Sequence, residues 1–256
     1  MKPKKYNLFH AYGRLLDLGS KALCNIAHHI YGKCNICGHH VIFICTDQSG
    51  KRNNLNCPIC TSSARKRHIA KVLLDEFKSL SLGDLRHHIY SLDAYDPIWK
   101  YSQGNSNFVS SLYLDDVPSG KLIDERIYRQ DVQKLTFQDE SFDAVISEDV
   151  MEHVPFDEKG FSEIYRVLKP SGVHIFTVPF KFNEPTLVRI DSISKKQIGP
   201  EEWHGDRLRG LIAAYRSYGV NMLEMLENIG FETRIERSDD RLHGIVNSYV
   251  FISRKI

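Results

Sequence analysis

Two stretches of this 256-residue chain place side chains where they could do chemistry. The first is CNIC at 34–37 and CPIC at 57–60, with nineteen residues between the pairs. A CxxC turn presents two thiolates to one ion. Two such turns supply the four sulfurs of a tetrahedral zinc site, at about 2.3 Å each. A redox dithiol or two unlinked buried pairs are the alternatives, but two knuckles at this spacing favour structural zinc held by Cys34, Cys37, Cys57 and Cys60. With every coordination position filled by protein, such a metal holds shape rather than reacts. Cys24 and Cys45 lie outside the spacing and read as buried thiols, and His39 and His40 as exposed.

The second stretch is FDAVISEDVMEHV at 142–154. A short apolar run fits a parallel strand covered on both faces, and Glu148, Asp149, Glu152 and His153 follow it directly. In open α/β sheets ligands collect just beyond the carboxyl ends of such strands, so these acids mark a candidate binding site. Asp149 and Glu152 can also be read as solvated on a helical turn, with Val150, Met151 and Val154 turned inward.

The elements that must position these groups follow from pattern. Apolar runs at 87–93, 107–114, 125–131, 142–147, 173–180, 231–237 and 245–255 read as strands alternating with helices. The fold class is therefore α/β, a Rossmann-like sheet of seven strands with helices on both faces. Before it, 62–77 reads as a helix with Ser62 as candidate N-cap and Ile69, Val72, Leu73 and Phe77 as its apolar stripe. Arg65, Lys66, Arg67 and His68 in its first turns read as a solvated face, with contact to a phosphate as the minority reading. A helix opening near Asp157, with Phe156 and Phe161 as a staple, should stop at Pro170–Gly172. The domain organisation expected is a helical segment over 1–32, a zinc ribbon over 33–62, a connecting helix over 63–84 and the large domain over 85–256.

The run DVQKLTFQDESFDAVISEDVMEHVPFDEKGFSEIYRVLKPSGVHIFTVP resembles the central half of class I S-adenosylmethionine-dependent methyltransferases, of the branch called type 11. EEWHGD and YRSYGVNMLEMLENIGF are similar to the C-terminal part of bacterial relatives with a cysteine ribbon in front. The resemblance implies S-adenosyl-L-methionine as cofactor. Asp131 would then accept from the adenine amino group, with the Val132 backbone at the ring edge and Leu135 and Phe137 packed beneath. Ser147 and Glu148 would face the methionine end, Glu148 meeting its ammonium, with His153 nearby. The family's glycine-rich turn after the first strand is missing: Asp93 and Ala94 stand where it should begin, and no glycine occurs before Gly104. Asp115 and Asp116 are the nearest acids for the ribose hydroxyls. His204 is the candidate catalytic base and His243 a weaker one.

Composition narrows this little. A formal charge of +2 with 26% charged residues does not by itself indicate nucleic acid or an anionic membrane as partner. No apolar run reaches the ~20 residues of a membrane span, and a cytoplasmic location is the default expectation. For the N-terminal segment, a packing helix is preferred to a basic helix on a membrane surface. The leading reading is methyl transfer to an oxygen or nitrogen of a small molecule or saccharide. RNA modification, using Arg65–Arg67 on phosphates, is one alternative. A non-catalytic zinc-bearing interaction protein is the other.

Overall fold

The computed structural model describes residues 29–45, 55–206 and 209–256. The helical segment expected before the ribbon, and Cys24 within it, lie outside them. Three short antiparallel strands, β1 (Ile30–Lys33), β2 (His40–Cys45) and β3 (Leu55–Asn56), make the ribbon. Each CxxC pair sits on a tight turn closed in the same way: Gly38 N–H donates to Cys34 O at 2.8 Å, and Thr61 N–H to Cys57 O at 2.9 Å. Both closing residues have positive φ. His39 and His40 are exposed and Cys45 is buried.

Helix α1 (Ala64–Glu76) follows the second knuckle. Its N-cap is Ser63 rather than Ser62: Ser63 Oγ accepts from Lys66 N–H, while Ser62 is buried against the cysteines and Arg67. The cap residue is thus decided by packing, since both serines offer the same hydroxyl.

The large sheet contains β4 (Ile89–Ser91), β5 (Phe108–Leu112), β6 (Leu122–Asp124), β7 (Ile127–Arg129), β8 (Phe142–Glu148), β9 (Leu168–Thr177), β14 (Phe231–Ser238) and β15 (Ser248–Lys255). The spatial order is β14-β15-β9-β8-β4-β5-β7-β6. All seven strands read from the pattern lie in it. The eighth, β6, is a short exposed strand paired antiparallel to β7 at the edge, too polar to stand out in sequence. Strands β7, β5, β4, β8 and β9 run parallel, and β15 is antiparallel to β9. The chain leaves β4 toward β5 on one side and returns to β8 on the other, so a topological switch point lies at β4/β8.

Alternate residues of these strands separate into two apolar clusters, as the pleat requires. Ile89, Ala144, Ile146, Ile175 and Ile252 join the ribbon, α1 and the short helix α2 (Pro97–Tyr101) on one face. Tyr90, Val145, Phe176 and Phe251 join helices α3 (Asp157–Val167) and α4 (Asn221–Ile229) on the other. Helix α3 ends at Val167, and LKPSG already runs within β9. Asp157 opens α3 without capping it, because its carboxylate is taken by Arg216 and the Tyr218 hydroxyl. Between β9 and α4 the chain builds a flap over the carboxyl ends of the strands. It consists of β10 (Leu187–Val188) paired with β13 (Arg216–Ser217), and the hairpin β11 (Trp203–Asp206) with β12 (Gly210–Ala213).

The basic run at 65–68 is not a solvated face. Arg67 is fully buried and donates to the carbonyls of Leu55 (3.0 Å), His243 (2.7 Å) and Gly244 (2.8 Å), as well as Ser62 (2.5 Å), with its guanidinium 4.2 Å from the Phe43 ring centre. One side chain thereby ties β3, α1 and the turn before β15 together. His68 is buried too, its Nδ1 3.0 Å from Ser248 Oγ. At the same junction a Cβ on Gly32 would meet Leu242 O at 2.1 Å, so the ribbon backbone lies directly on the domain. We expect Arg67→Met to destabilise the protein by about 3 kcal/mol or more, since several buried carbonyls lose their donor; a denaturant midpoint close to wild type would contradict the clamp.

Candidate active site

The parallel strands β4, β5, β7, β8 and β9 end at a cleft of about 3250 Å³, roughly three times the upper range for a small-molecule pocket. It has room for a nucleoside and a second reactant. Asp93, Ala94, Asp115, Asp131, Val132, Glu148, His153 and His204 all line it. Trp99 does not fill it: its ring is buried against Phe108 behind the turn.

The turn after β4 lacks glycine but keeps a glycine-like backbone. Tyr95 has φ +61°, and Asp149, just beyond β8, has φ +47°. Left-handed backbone costs a side-chain-bearing residue about 1–2 kcal/mol, and such strain persists where surroundings over-determine it. Here Ala94 N–H is fixed to Ser111 O (3.1 Å), and Asp149 N–H to Thr177 O (2.9 Å). Asp96 caps α2 by accepting from Trp99 N–H at 2.7 Å.

The carboxylates at the two strand ends converge on cations from α1. Lys66 Nζ lies 3.0 Å from Asp93 Oδ2 and 2.8 Å from Asp96 Oδ2, and it also pairs with Glu148. Arg65 Nε lies 2.8 Å from the other oxygen of Glu148, and its terminal nitrogen pairs with Asp149. Burial opposes ionisation of Glu148, but Lys66 and Arg65 overcome it and hold the carboxyl at about 2. Burial pushes Asp96 up to about 6, only partly offset by Lys66. Despite burial, Lys66 is held well above its usual range by Asp93, Asp96 and Glu148. Two cations against four carboxylates leave formal negative charge at the cleft floor, which suits a cationic ligand. The same arrangement commits Arg65 and Lys66 to internal pairs, and Arg67 to carbonyls, so the basic run is not presented to phosphates.

The remaining sequence-derived residues divide. Asp131 Oδ1 accepts from Gln133 N–H (2.9 Å) and Gln133 Nε2 (3.1 Å), capping the turn after β7 at the cleft wall. Leu135 and Phe137 pack beneath, Phe137 edge-on to Tyr90 and Phe142. Asp115 stands exposed beyond the end of β5, and Asp116 is exposed beside it. Ser147 does not face the cleft: it is buried, and its Oγ lies 2.9 Å from His174 Nε2. Within a strand, neighbouring side chains point to opposite faces, so the pleat turns the Ser147 side chain away from the side that Glu148 faces. His243 is also removed from the cleft, its Nδ1 2.7 Å from Asp240 Oδ2 in a short turn.

The flap carries His204 over the strand ends to His153. His204 Nδ1 lies 3.0 Å from His153 Nε2 and 3.6 Å from Glu152 Oε1, and His204 Nε2 lies 3.1 Å from Glu202 Oε1. His153 Nδ1 lies 2.8 Å from Ala213 O. Glu152, for which the sequence allowed a solvated reading beside that of a site acid, is fully buried. The flap is held down by Tyr215 N–H donating to Glu152 O (2.8 Å) and by Arg216, which reaches Asp157 and Pro155 O. Sequence reasoning missed Asp96 and Glu202, left Glu152 between a site acid and a solvated one, and gave Arg65 and Lys66 no carboxylate partners. The only available signals were the basic run itself and the doublets Glu152–His153 and Glu201–Glu202, which pattern alone cannot bring together.

In the ribbon, the four Sγ atoms lie within 4.8 Å of one another, with Cys34–Cys60 at 3.6 Å and Cys37–Cys57 at 3.8 Å. A tetrahedron with bonds of about 2.3 Å has edges of about 3.8 Å, so the set fits a tetrahedral ion.

Lys66 supplies a test with a sign. A carboxyl held down in the folded state contributes stability above its unfolded pKa and loses it as pH falls, so the contribution of Glu148 disappears between about 4.5 and about 2. Asp96, raised from 3.8 to about 6, acts oppositely: its cost to stability sets in as pH rises from 3.8 and is complete above about 6. Lys66→Met should therefore cost about 3–5 kcal/mol at neutral pH, and less near pH 5 where Asp96 binds a proton. Urea denaturation at both pH values checks this; a pH-independent loss would mean that the charge of Lys66 is not what stabilises the junction.

Comparison with known proteins places the domain. Residues 81–176, from the turn before β4 to the end of β9, match the protein family described as "Methyltransferase domain". A 42-residue stretch is 50% identical to phosphoethanolamine N-methyltransferase 2 of Caenorhabditis elegans, covering 16% of this chain and 10% of that protein. A 54-residue stretch is 46% identical to sterol 24-C-methyltransferase of Clavispora lusitaniae, covering 21% and 14%. The chain thus spans only a small fraction of the length of these relatives. Among solved structures, an S-adenosylmethionine-dependent methyltransferase from Mesorhizobium loti is 17% identical with a TM-score of 0.47, covering 76% of this chain and 99% of that one. The 1,6-didemethyltoxoflavin-N1-methyltransferase of Burkholderia thailandensis is 15% identical with a TM-score of 0.43, covering 96% and 89%. The match to a methyltransferase domain thus covers the stretch whose parallel strands end at the cleft.

Proposed function

We propose that the protein moves the methyl group of S-adenosylmethionine to an oxygen or nitrogen of a small-molecule acceptor, such as a saccharide, held beneath the flap. The observation that carries this reading is that the strands of the matched family region end at the cleft lined by Asp93, Asp131, Glu148 and His204. The bound cofactor supplies an electrophilic methyl on a sulfonium. In this reading Asp131 and the Val132 backbone hold the adenine, Asp115 lies toward the ribose, and Ala94 lets the turn approach. The residual negative charge at Asp93, Asp96, Glu148 and Asp149 attracts the cationic end, while Arg65 and Lys66 hold those carboxylates in place at the cleft floor. Helix α1 thereby does by charge what a glycine-rich turn does by backbone approach.

In-line displacement requires alignment, and a hydroxyl acceptor must also lose its proton. Both nitrogens of His204 are engaged, so acceptor activation falls to the His153–His204–Glu152 group rather than to His204 as a lone base. We assign zinc to the four ribbon cysteines with a structural role, fixing the start of α1 and hence Arg65 and Lys66. Among the described residues no helix is long and apolar enough to cross a membrane.

S-adenosylhomocysteine should bind in calorimetry, with Asp131→Ala weakening it by about tenfold or more. Arg65→Gln should weaken S-adenosylhomocysteine yet spare 5′-methylthioadenosine, which lacks the amino-acid end. No binding at about millimolar ligand would end the enzyme reading in favour of an interaction module. Elemental analysis should return about one zinc per chain; a content near zero would remove the ribbon assignment.

A further inference from the structure

The cluster beneath the flap has the geometry of a second metal site, separate from the cysteine ribbon. Glu152 Oε1, His153 Nε2 and His204 Nδ1 form a triangle with sides of 3.0, 3.6 and 3.9 Å. The circle through its corners has a radius of about 2.1 Å, so an ion just off its plane meets all three atoms at about 2.1–2.2 Å, the range of imidazole and carboxylate bonds to divalent first-row metals.

The hydrogen bonds around the triangle orient its lone pairs inward. A carbonyl oxygen only accepts, so the Ala213 oxygen at 2.8 Å requires the proton of His153 on Nδ1. A carboxylate likewise accepts, so Glu202 Oε1 at 3.1 Å places the proton of neutral His204 on Nε2. His153 Nε2 and His204 Nδ1 then point lone pairs at each other across 3.0 Å, beside a carboxylate oxygen. Two neutral imidazole lone pairs and a carboxylate oxygen facing one point need a positive charge among them, either a proton shared by the two nitrogens or a metal ion. Ring nitrogens pinned by a backbone carbonyl and by a carboxylate are also the outer contacts that metal-binding histidines use.

We propose that Glu152, His153 and His204 bind one divalent first-row transition cation, with Glu202 and the Ala213 carbonyl orienting the two imidazoles. Two nitrogens and one oxygen favour such a metal over magnesium or calcium, which take all-oxygen sets. His153, His204 and Glu202 line the cleft while Glu152 is buried behind them, so the open coordination positions face the acceptor space. In the role this gives the ion, which rests on the methyl-transfer reading above, an acceptor hydroxyl binds through its oxygen and loses its proton to water. An oxygen lone pair then forms the bond to the methyl carbon, and the carbon–sulfur electron pair stays on sulfur, leaving the neutral thioether. Ion binding itself does not depend on that role.

The test is titration of the full-length, zinc-replete protein with Co²⁺, followed by visible absorption and calorimetry. Wild type should take up one Co²⁺ with weak visible bands and no strong near-ultraviolet sulfur charge transfer. His204→Ala, at a partly exposed hairpin position, should abolish uptake. Glu202→Gln, which keeps all three ligands, should weaken it about 10–100-fold. Both variants should retain their zinc and their S-adenosylhomocysteine affinity, which separates a lost ligand from a lost fold. Failure of wild type to bind at about millimolar Co²⁺, sulfur bands alone, or unchanged uptake in His204→Ala would overturn the proposal. Cobalt uptake without S-adenosylhomocysteine binding would leave the cation site standing and remove the methyl-transfer reading; the reverse outcome would remove the site and leave that reading.

Discussion

A lysine ammonium buried among Asp93, Asp96 and Glu148 is the contact on which this architecture turns. Neither side of it is tolerable alone. Isolated buried charges of either sign carry a desolvation cost of several kcal/mol each, so the acids at two strand ends and the cations of α1 stabilise one another only when assembled. The consequence is mechanical as well as electrostatic. Arg65 and Lys66 belong to the helix that leaves the second cysteine knuckle, and Arg67 in the next position holds the ribbon and the turn before β15. Three consecutive residues therefore join the ribbon, one sheet face and the cleft floor. The apolar cluster on that face runs without a break from Cys34 to Ile252, so the ribbon is part of the core rather than a pendant module.

Around this junction the cleft is built by backbone held in unusual conformations. Tyr95 and Asp149 occupy left-handed φ at the two strand ends flanking the switch point. Their side chains are anchored as well: the Tyr95 hydroxyl donates to Asp124 (3.2 Å), and Asp149 accepts from Thr177 Oγ1 (2.9 Å). Such anchoring is what lets a non-glycine residue stay at a strained position. The flap closes the opposite wall by the same logic. Arg216 is buried against Asp157 and Pro155 O, and Arg189 against Ser217, Pro200 O and Glu202. Buried guanidinium groups with several oxygen partners resist displacement, because loss of any partner leaves a costly charge. His204 is thereby held against His153 although it arrives from 51 residues further along the chain.

What could be read from the residues, and what could not, follows from the range of the forces involved. Alternating apolar runs and CxxC spacing are local, and both survive in the structure: the parallel strands, their order of succession and the four-sulfur cluster were legible before any coordinates. Asp131 at a strand end was legible for the same reason. Side-chain partners were not. Arg65–His68 has the composition of a solvated face, and only the arrival of Asp93, Asp96, Glu148 and Asp149 from other strands makes its burial affordable. Asp157 has the sequence of a helix cap, yet a tertiary arginine competes for its carboxylate and wins. Ser147 sits one residue from Glu148, and the pleat alone sends it to the other face.

The sequence by itself determined the α/β class, the sulfur cluster and the strand ends where a site must lie, because periodicity and spacing are properties of neighbouring residues. Tertiary structure alone decided which charges neutralise which, that Glu152 is buried, and that His153, His204 and Glu202 converge. Those outcomes depend on elements far apart in the chain, and on a desolvation cost that exists only once they have been brought out of water.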